Sequence, residues 1–591
     1  MDFAALVLVI LAGATLAGAL DPALGLPARL GAGIALGTLG TAVGLFVLLA
    51  LRVPLAVVAA VPVLLALGWL LGYALAQRPV PTSQRVRLPG RDRSPAGGPP
   101  QVPAFLGTRP GPGQADAQRG PQQRRSHASR SDEPQAPAGT RAGAWVAAAR
   151  RIARQLGPPA LETALLLVAL VLLAGAGWLA LSWPITTTDA LRLFDGRARL
   201  LLTAGSLEGA AALAYDPAFF ASYPPLTTLL YTWVYVLGGP ARTPQYFSTL
   251  YTAATALLLY GLLRPQVARP LAAAATLALV ASRPVLEYAT NAYTVAPALC
   301  YTAAAVLLLD AALTADRAAP ACASAGSFRR GVRPAVADTA PPARPARTGR
   351  LVLAGLCLGG AVWARTGSEP LVLALAALAL WQGRRALSPA QAAAALLLPP
   401  LLLAGGWLGY AQTRLATVPP HETAALLVTE AQQAPPRELL TALRVLAQRP
   451  PQDVLRLITA ERLGAFARQF GPLVWAVDPA LLAVFLLTAL LAWPAQRRQA
   501  FLWAVLAALV GTTAAGFFAL FLVYPRSLQD TPDSVLRLLL LAVPLLSYGT
   551  ARNVQAVLDR GRAGPAAGRP STPAGAPPAQ KAAAPPHPGR L

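Results

Sequence analysis

The chain has almost no lysine, few cysteines, few histidines and little charge of any kind. Lys581 is the only lysine in 591 residues, so the 50 basic residues are nearly all arginine. The three cysteines, Cys300, Cys322 and Cys357, show no CxxC spacing, which argues against a disulfide framework and against a thiolate metal site. The three histidines, His127, His421 and His587, are scattered and form no metal-ligand pair. Charged residues make up only 13% of the chain. No basic stretch precedes the first apolar run, only Asp2, so Met1 is expected to begin a retained helix and not a cleaved signal peptide.

What remains is apolar. Hydrophobic residues account for 55% of the chain, and the mean hydropathy is +0.50. Long apolar runs of roughly 16 to 25 residues recur, which is the length of a membrane-crossing helix. The runs lack strand-like alternation, and backbone groups in lipid must be satisfied within their own segment, so the expected class is an all-α polytopic membrane protein. The net charge of +25 sits in the linkers between apolar runs. That placement fits basic cytoplasmic loops and speaks against nucleic-acid binding.

Three apolar segments come first, near 3–20, 31–51 and 54–76, and read as a small N-terminal membrane module. Residues 77–159 are rich in Pro, Gly, Gln and Arg, carry fourteen arginines against four acids, and read as a disordered cytoplasmic linker. The main body spans 160–550, with a second basic linker at 313–349, an outer loop at 411–478 and a basic, disordered tail at 551–591. A linker on the inside places Asp189, just past the segment 161–182, on the outer face. Between Asp189 and the second linker the number of crossings must be odd, yet hydropathy offers four segments: 224–239, 246–263, 268–282 and 289–312. One of them, either 224–239 or 268–282, is expected not to span. The total comes to about thirteen helices.

Several polar patches sit at the outer ends of the apolar runs. Thr188-Asp189 follows the helix 161–182, and Tyr223-Pro224-Pro225-Leu226 opens the next segment. Arg283 to Thr294 contains Glu287, Tyr288, Asn291 and Tyr293. A glycine-rich segment, Gly359 to Glu369, ends in a turn with Arg365 and Glu369, and Val535-Leu536-Arg537-Leu538 precedes Pro544. Leu191, Phe194, Ala198 and Leu201 fall at helical spacing with Arg192, Asp195, Arg197 and Arg199 between them, as in an amphipathic helix on the outer leaflet.

In their order and spacing these patches resemble the C-type glycosyltransferase superfamily, the integral-membrane enzymes that use polyprenyl-phosphate sugars. Lipid A aminoarabinose transferases and protein O-mannosyltransferases belong to it. The resemblance covers roughly residues 160–550 and implies a catalytic Asp in the first outer loop, which falls on Asp189. It implies arginines on the donor phosphate, for which Arg537, Arg526 and Arg365 stand at helix ends. Tyr223, Pro224, Glu287, Tyr288, Asn291, Tyr293 and Glu369 are the expected substrate-binding residues. Two positions depart from the family pattern: Ala190 follows the Asp where many members have a second acid, and Val295 stands where many have an Asp. A hard divalent cation needs several oxygen ligands, so a metal-independent reaction with arginines neutralising phosphate fits better.

The resemblance implies transfer of a sugar from a polyprenyl-phosphate donor to a lipid, glycan or protein acceptor, on the outer face of a bacterial inner membrane. Two other classes remain open: a transporter or lipid flippase, and a non-catalytic envelope-assembly protein. A cavity joining Asp189 to Arg365 or Arg537 favours the enzyme, whereas a midplane cavity apart from Asp189 favours transport.

Overall fold

The computed structural model describes residues 2–76, 141–187, 189–214, 217–325, 344–383, 388–415, 417–418, 445–493 and 499–563. Among these residues the chain is helical throughout and has no strand. It is an all-α polytopic membrane protein. Met1–Tyr73 and Leu156–Leu591 form one compact unit, and Ala74–Gln155 forms another.

In chain order the helices begin with α1 (Asp2–Leu20), α2 (Leu26–Ala50) and α3 (Leu55–Ala76), then α4 (Arg141–Ser182), which breaks at Gly157 and whose residues up to Gln155 belong to the second unit. A π-turn (Ala190–Asp195) leads into α5 (Gly196–Ala204), α6 (Leu207–Leu213), α7 (Pro217–Ser222) and α8 (Leu226–Val236). Next come α9 (Thr243–Leu263), α10 (Arg269–Ala281), α11 (Arg283–Ala289), α12 (Val295–Ala325), α13 (Arg344–Ala364), α14 (Glu369–Gly383) and α15 (Pro389–Tyr410). The last seven are α16 (Pro451–Leu457), α17 (Ala460–Ala476), α18 (Pro479–Leu491), α19 (Ala500–Val523), α20 (Ser527–Asp530), α21 (Pro532–Leu539) and α22 (Val543–Ala563). Proline opens many of them, where the missing N–H costs nothing. Asp478 accepts from Leu481 N and so caps α18, which turns sharply from α17.

Among the described residues nine helices are long and apolar enough to cross a membrane, or eleven if each of two bent pairs is one span. The expected total was about thirteen; α14 is apolar but only 15 residues long.

Polar contacts sort the helix ends into two groups. At the end we call basal, Arg350 of α13 pairs with Asp21, just past α1, and donates to Ala311 O of α12. At this end Tyr548 of α22 also donates to Gln266, just past α9. At the apical end, Phe46 of α2 meets Trp363 of α13 and Tyr410 of α15 edge-on. The arginine-rich stretches of sequence join the bundle at its basal end, since α12 ends and α13 begins there.

Helix α8 resolves the surplus crossing. Tyr235, near its C-terminus, donates to Asp195, and just beyond it Gln245 Nε2 donates to Trp183 O at 2.7 Å. Trp183 ends α4, so α8 starts and finishes on the apical side. The segment 224–239 therefore does not span, and α9, α10 and α12 supply three crossings.

Helices α1–α3, read from the sequence as a module apart, belong to the main unit. Thr38 of α2 accepts from Tyr251 of α9 at 2.8 Å and lies 3.2 Å from Tyr301 OH of α12. A methyl group at Gly31 would meet Ala254 O at 2.6 Å, so α2 and α9 touch backbone to backbone. Small residues let helices approach this closely in lipid, where apolar surface alone gives no drive to associate.

Disorder expected over 77–159 falls outside the described residues for 77–140, while 141–159 is helical within α4. Its alanine-rich sequence outweighs the local charge as a determinant of helix. Likewise α12 runs on to Ala325, α13 starts at Arg344 and α22 continues to Ala563, each shortening an expected linker or tail.

Candidate functional site

The apical end of the bundle gathers side chains from three distant segments. Asp189 lies between the end of α4 and the π-turn. Arg537 lies on α21, Tyr288 on α11, and Tyr293 in the loop before α12. Arg537 Nη1 donates to Asp189 Oδ2 at 2.9 Å. Its Nη2 donates to Tyr293 OH at 3.3 Å and its Nε to Tyr288 OH at 3.3 Å. Tyr293 OH in turn donates to Asp189 Oδ2 at 3.4 Å. The guanidinium carbon lies 4.6 Å from the centre of the Tyr293 ring, within cation–π range. One arginine therefore holds an acid and two phenols. The Asp189 side chain keeps 44% of its surface exposed, against 17% for Arg537.

The local fold explains this convergence. Asn291 Nδ2 donates to Glu287 O at 3.0 Å, closing the turn after α11. Thr249 Oγ1 of α9 donates to Ala289 O at 2.7 Å, and Ser248 Oγ donates to Asn291 O at 2.5 Å. The loop is thus pinned to α9, and Tyr293 is turned toward Arg537. Phe194 packs edge-on against both Tyr223 and Tyr293.

Arg365 follows α13 directly. Its Nη1 is out of solvent contact and has no hydrogen-bond partner. Burial pushes the Arg365 guanidinium down to about 10, and the neighbouring charge of Arg537 acts in the same direction. Its turn is closed by Gly367, at φ 84°, whose N–H donates to Glu369 Oε2 at 2.7 Å. Glu369 thus serves the turn, and no Arg365–Glu369 ion pair forms among the described residues. A half-buried cation without an acid beside it is costly unless an anion arrives.

The expected site residues divide into two sets. Asp189, Arg537, Tyr288 and Tyr293 are in direct contact. Arg365 and Tyr223 border them, and Pro224 is buried where the chain enters α8. Glu287 is exposed on α11, and Asn291 spends its amide on the turn. Arg526 is exposed at the start of α20, with no ion pair to a described residue, as a snorkelling arginine would be. Among the described residues no three His, Cys, Asp or Glu side chains come together as a metal group.

Arg197 was expected on the solvent face of an amphipathic helix and is instead buried. Helical phase is the cause: Arg197 stands three residues after Phe194 and four before Leu201, on the face that Phe194, Ala198 and Leu201 bury. Asp195, in the π-turn where Gly196 N bonds back to Leu191 O, is buried as well. Asp195 is satisfied by Tyr235 and by Arg199 at 2.8 Å. Arg197 donates to Phe220 O at 2.6 Å and Tyr223 O at 3.2 Å, while its Nε and Nη1 find no partner. Burial pushes its guanidinium down to about 9, with the Tyr223 phenol acting the other way. The spacing to Phe194 and Leu201 carried the signal, but a charge is ordinarily assigned to the solvent side of such a helix.

An exposed carboxylate thus stands beside one committed arginine and one uncommitted arginine. Such an arrangement can accept a proton at Asp189 while the two guanidiniums hold an anion. No protein-family model matches the sequence, and neither a curated protein nor a solved structure matches the chain.

Proposed function

We propose that the chain is an integral-membrane glycosyltransferase that takes a sugar from a polyprenyl-phosphate donor and passes it to a cell-envelope acceptor. The observation that carries this reading is the uncommitted Arg365 beside the Asp189–Arg537 pair. An anion would satisfy Arg365, and a base lies next to Arg537. The basic linkers join the opposite end of the bundle, so the site faces outward if basic segments stay inside. A bacterial inner membrane fits this orientation.

The reaction is a displacement at the anomeric carbon. The acceptor oxygen bonds to that carbon as its proton passes to Asp189. The bond from carbon to phosphate oxygen breaks, and its electron pair leaves on the polyprenyl phosphate. Arg365 and Arg537 stabilise that leaving group, so it needs no proton. Donor phosphate competes with Asp189 for Arg537. Donor binding thereby frees the carboxylate, and the base is released only when there is a sugar to transfer.

Labelled sugar on polyprenyl phosphate, supplied to membranes holding the wild type or Asp189→Asn, tests this directly. Transfer by the wild type and none by the variant supports the reading. Equal transfer by both removes Asp189 from the mechanism. Absence of transfer by either, with several donors, rejects the enzyme.

A further inference from the structure

The opposite end of the bundle holds a cavity of about 660 Å³ between the α1–α2 turn, the end of α9, the start of α10, and α12 and α13. That volume lies within the range of roughly 300–1,000 Å³ common for small-ligand sites. Much of its wall is apolar, including Leu24, Pro27, Leu262 and Pro265. Its charges are arginines: Arg264, Arg269 and Arg350.

These three differ in what they have left to offer. Arg350 is committed, paired with the fully buried Asp21 at 2.6 Å. Arg264 is exposed, and its nearest acid, Glu162, stands 4.0 Å away and already accepts from Tyr260. Arg269 is exposed and has no ion pair among the described residues. The mouth of the cavity therefore carries positive charge with little internal compensation, five residues apart on either side of Pro265.

We propose that this cavity binds the headgroup of an anionic phospholipid, with Arg264 and Arg269 on its phosphate and the apolar wall against the first carbons of its chains. Three features select a lipid. The cavity opens at a bundle end, where headgroups lie. Its wall is apolar where a soluble phosphate would have no use for it. Basic pockets between membrane helices on the side that carries the basic loops recognise such headgroups. The proposal does not rest on the glycosyltransferase reading, since it involves other residues at the other end of the molecule.

The test uses the full chain in nanodiscs of phosphatidylcholine mixed with phosphatidylglycerol or cardiolipin, followed by mass spectrometry of the lipids that remain bound. Anionic lipid should be retained preferentially. Each arginine near a charged surface is worth on the order of fivefold in affinity, so Arg264→Gln with Arg269→Gln should lower retention by roughly 25-fold. Arg414→Gln, an exposed arginine at the apical end, should leave retention as in the wild type. Thermal unfolding checks that the double variant is folded, and Arg269→Glu alone supplies a second variant with the same expected direction. Equal retention of zwitterionic lipid, or wild-type retention by both variants, overturns the proposal. Displacement of the lipid by glycerol phosphate in solution would assign the cavity to a soluble phosphate and overturn it as well.

Discussion

Each end of this bundle holds arginine–aspartate pairs, and the two kinds are built differently. At the basal end, Arg552 and Asp310 retain 14% and 1% of their side-chain exposure, and Arg350 and Asp21 retain 12% and 0%. Tyr548 donates to Asp310 as well, at 2.7 Å, and each pair ties together helices far apart in sequence. At the apical end Asp189 keeps 44% of its side-chain exposure, and its arginine neighbours a second arginine whose Nη1 has nothing to hold. The same two side chains therefore make a clamp in one place and a reactive site in the other. What distinguishes them is solvent access and leftover charge.

The comparison breaks or sharpens under substitution. The largest expected effect is on catalysis: Asp189→Asn should lower sugar transfer by about 10²- to 10⁴-fold, the usual span for a positioned general base. Its thermal unfolding should stay close to that of the wild type. Donor binding by this variant should tighten, because Asp189 no longer competes for Arg537. Weaker binding, measured with a non-transferable donor analogue, would reject that competition.

Next is Asp310→Ala, which strands Arg552 in the interior. Breaking a buried pair costs roughly 3–5 kcal/mol, so unfolding in detergent should begin at a clearly lower temperature. If Asp310→Ala unfolds like the wild type while Asp189→Asn does not, the contrast between the two ends is wrong.

Arg365→Ala should weaken binding of a phosphate-bearing donor by about 1.5–3 kcal/mol, the worth of a charged hydrogen bond. The wild type should mimic this variant in alkali. Arg365 binds an anion only while protonated, and burial holds its guanidinium down to about 10. Affinity for an alkyl phosphate should therefore fall as pH rises through about 10 and be flat from there down to the second ionisation of the phosphate, near pH ~6. Arg365→Ala should lose that step. The smallest effect is reserved for Arg526→Gln, which should change transfer by less than about twofold, because exposed charges of this kind contribute little.

Much of this was legible in the sequence, for a physical reason. A polar side chain is costly within an apolar run, so the few that stand at run ends are conspicuous, and Asp189, Arg365, Tyr288, Tyr293 and Arg537 were all of that kind. Hydropathy also fixes the number of apolar runs. It says nothing about whether a run such as 224–239 crosses or folds back, because that depends on what Tyr235 and Gln245 find to bind. Nor does it show that Asn291 closes a turn, since amide and pocket roles use the same atoms. Asp310 was available to inspection as an acid inside a long apolar run, which by default earns functional suspicion. The structure gives it Arg552 and Tyr548 as partners. Arg197 shares a face with Phe194 and Leu201 by spacing, yet as a charge it reads as part of the solvent side.

The short helix α8 has a consequence for the whole chain. Its 11 residues reach about 16 Å, half the thickness of a bilayer's apolar core. Had it been long enough to pass through, every helix after it would have been inverted. Asp189 and Arg537 would then stand on opposite faces of the membrane, separated by its full thickness. The ion pair between them is thus a matter of parity, set by a dozen residues that begin and end on one side.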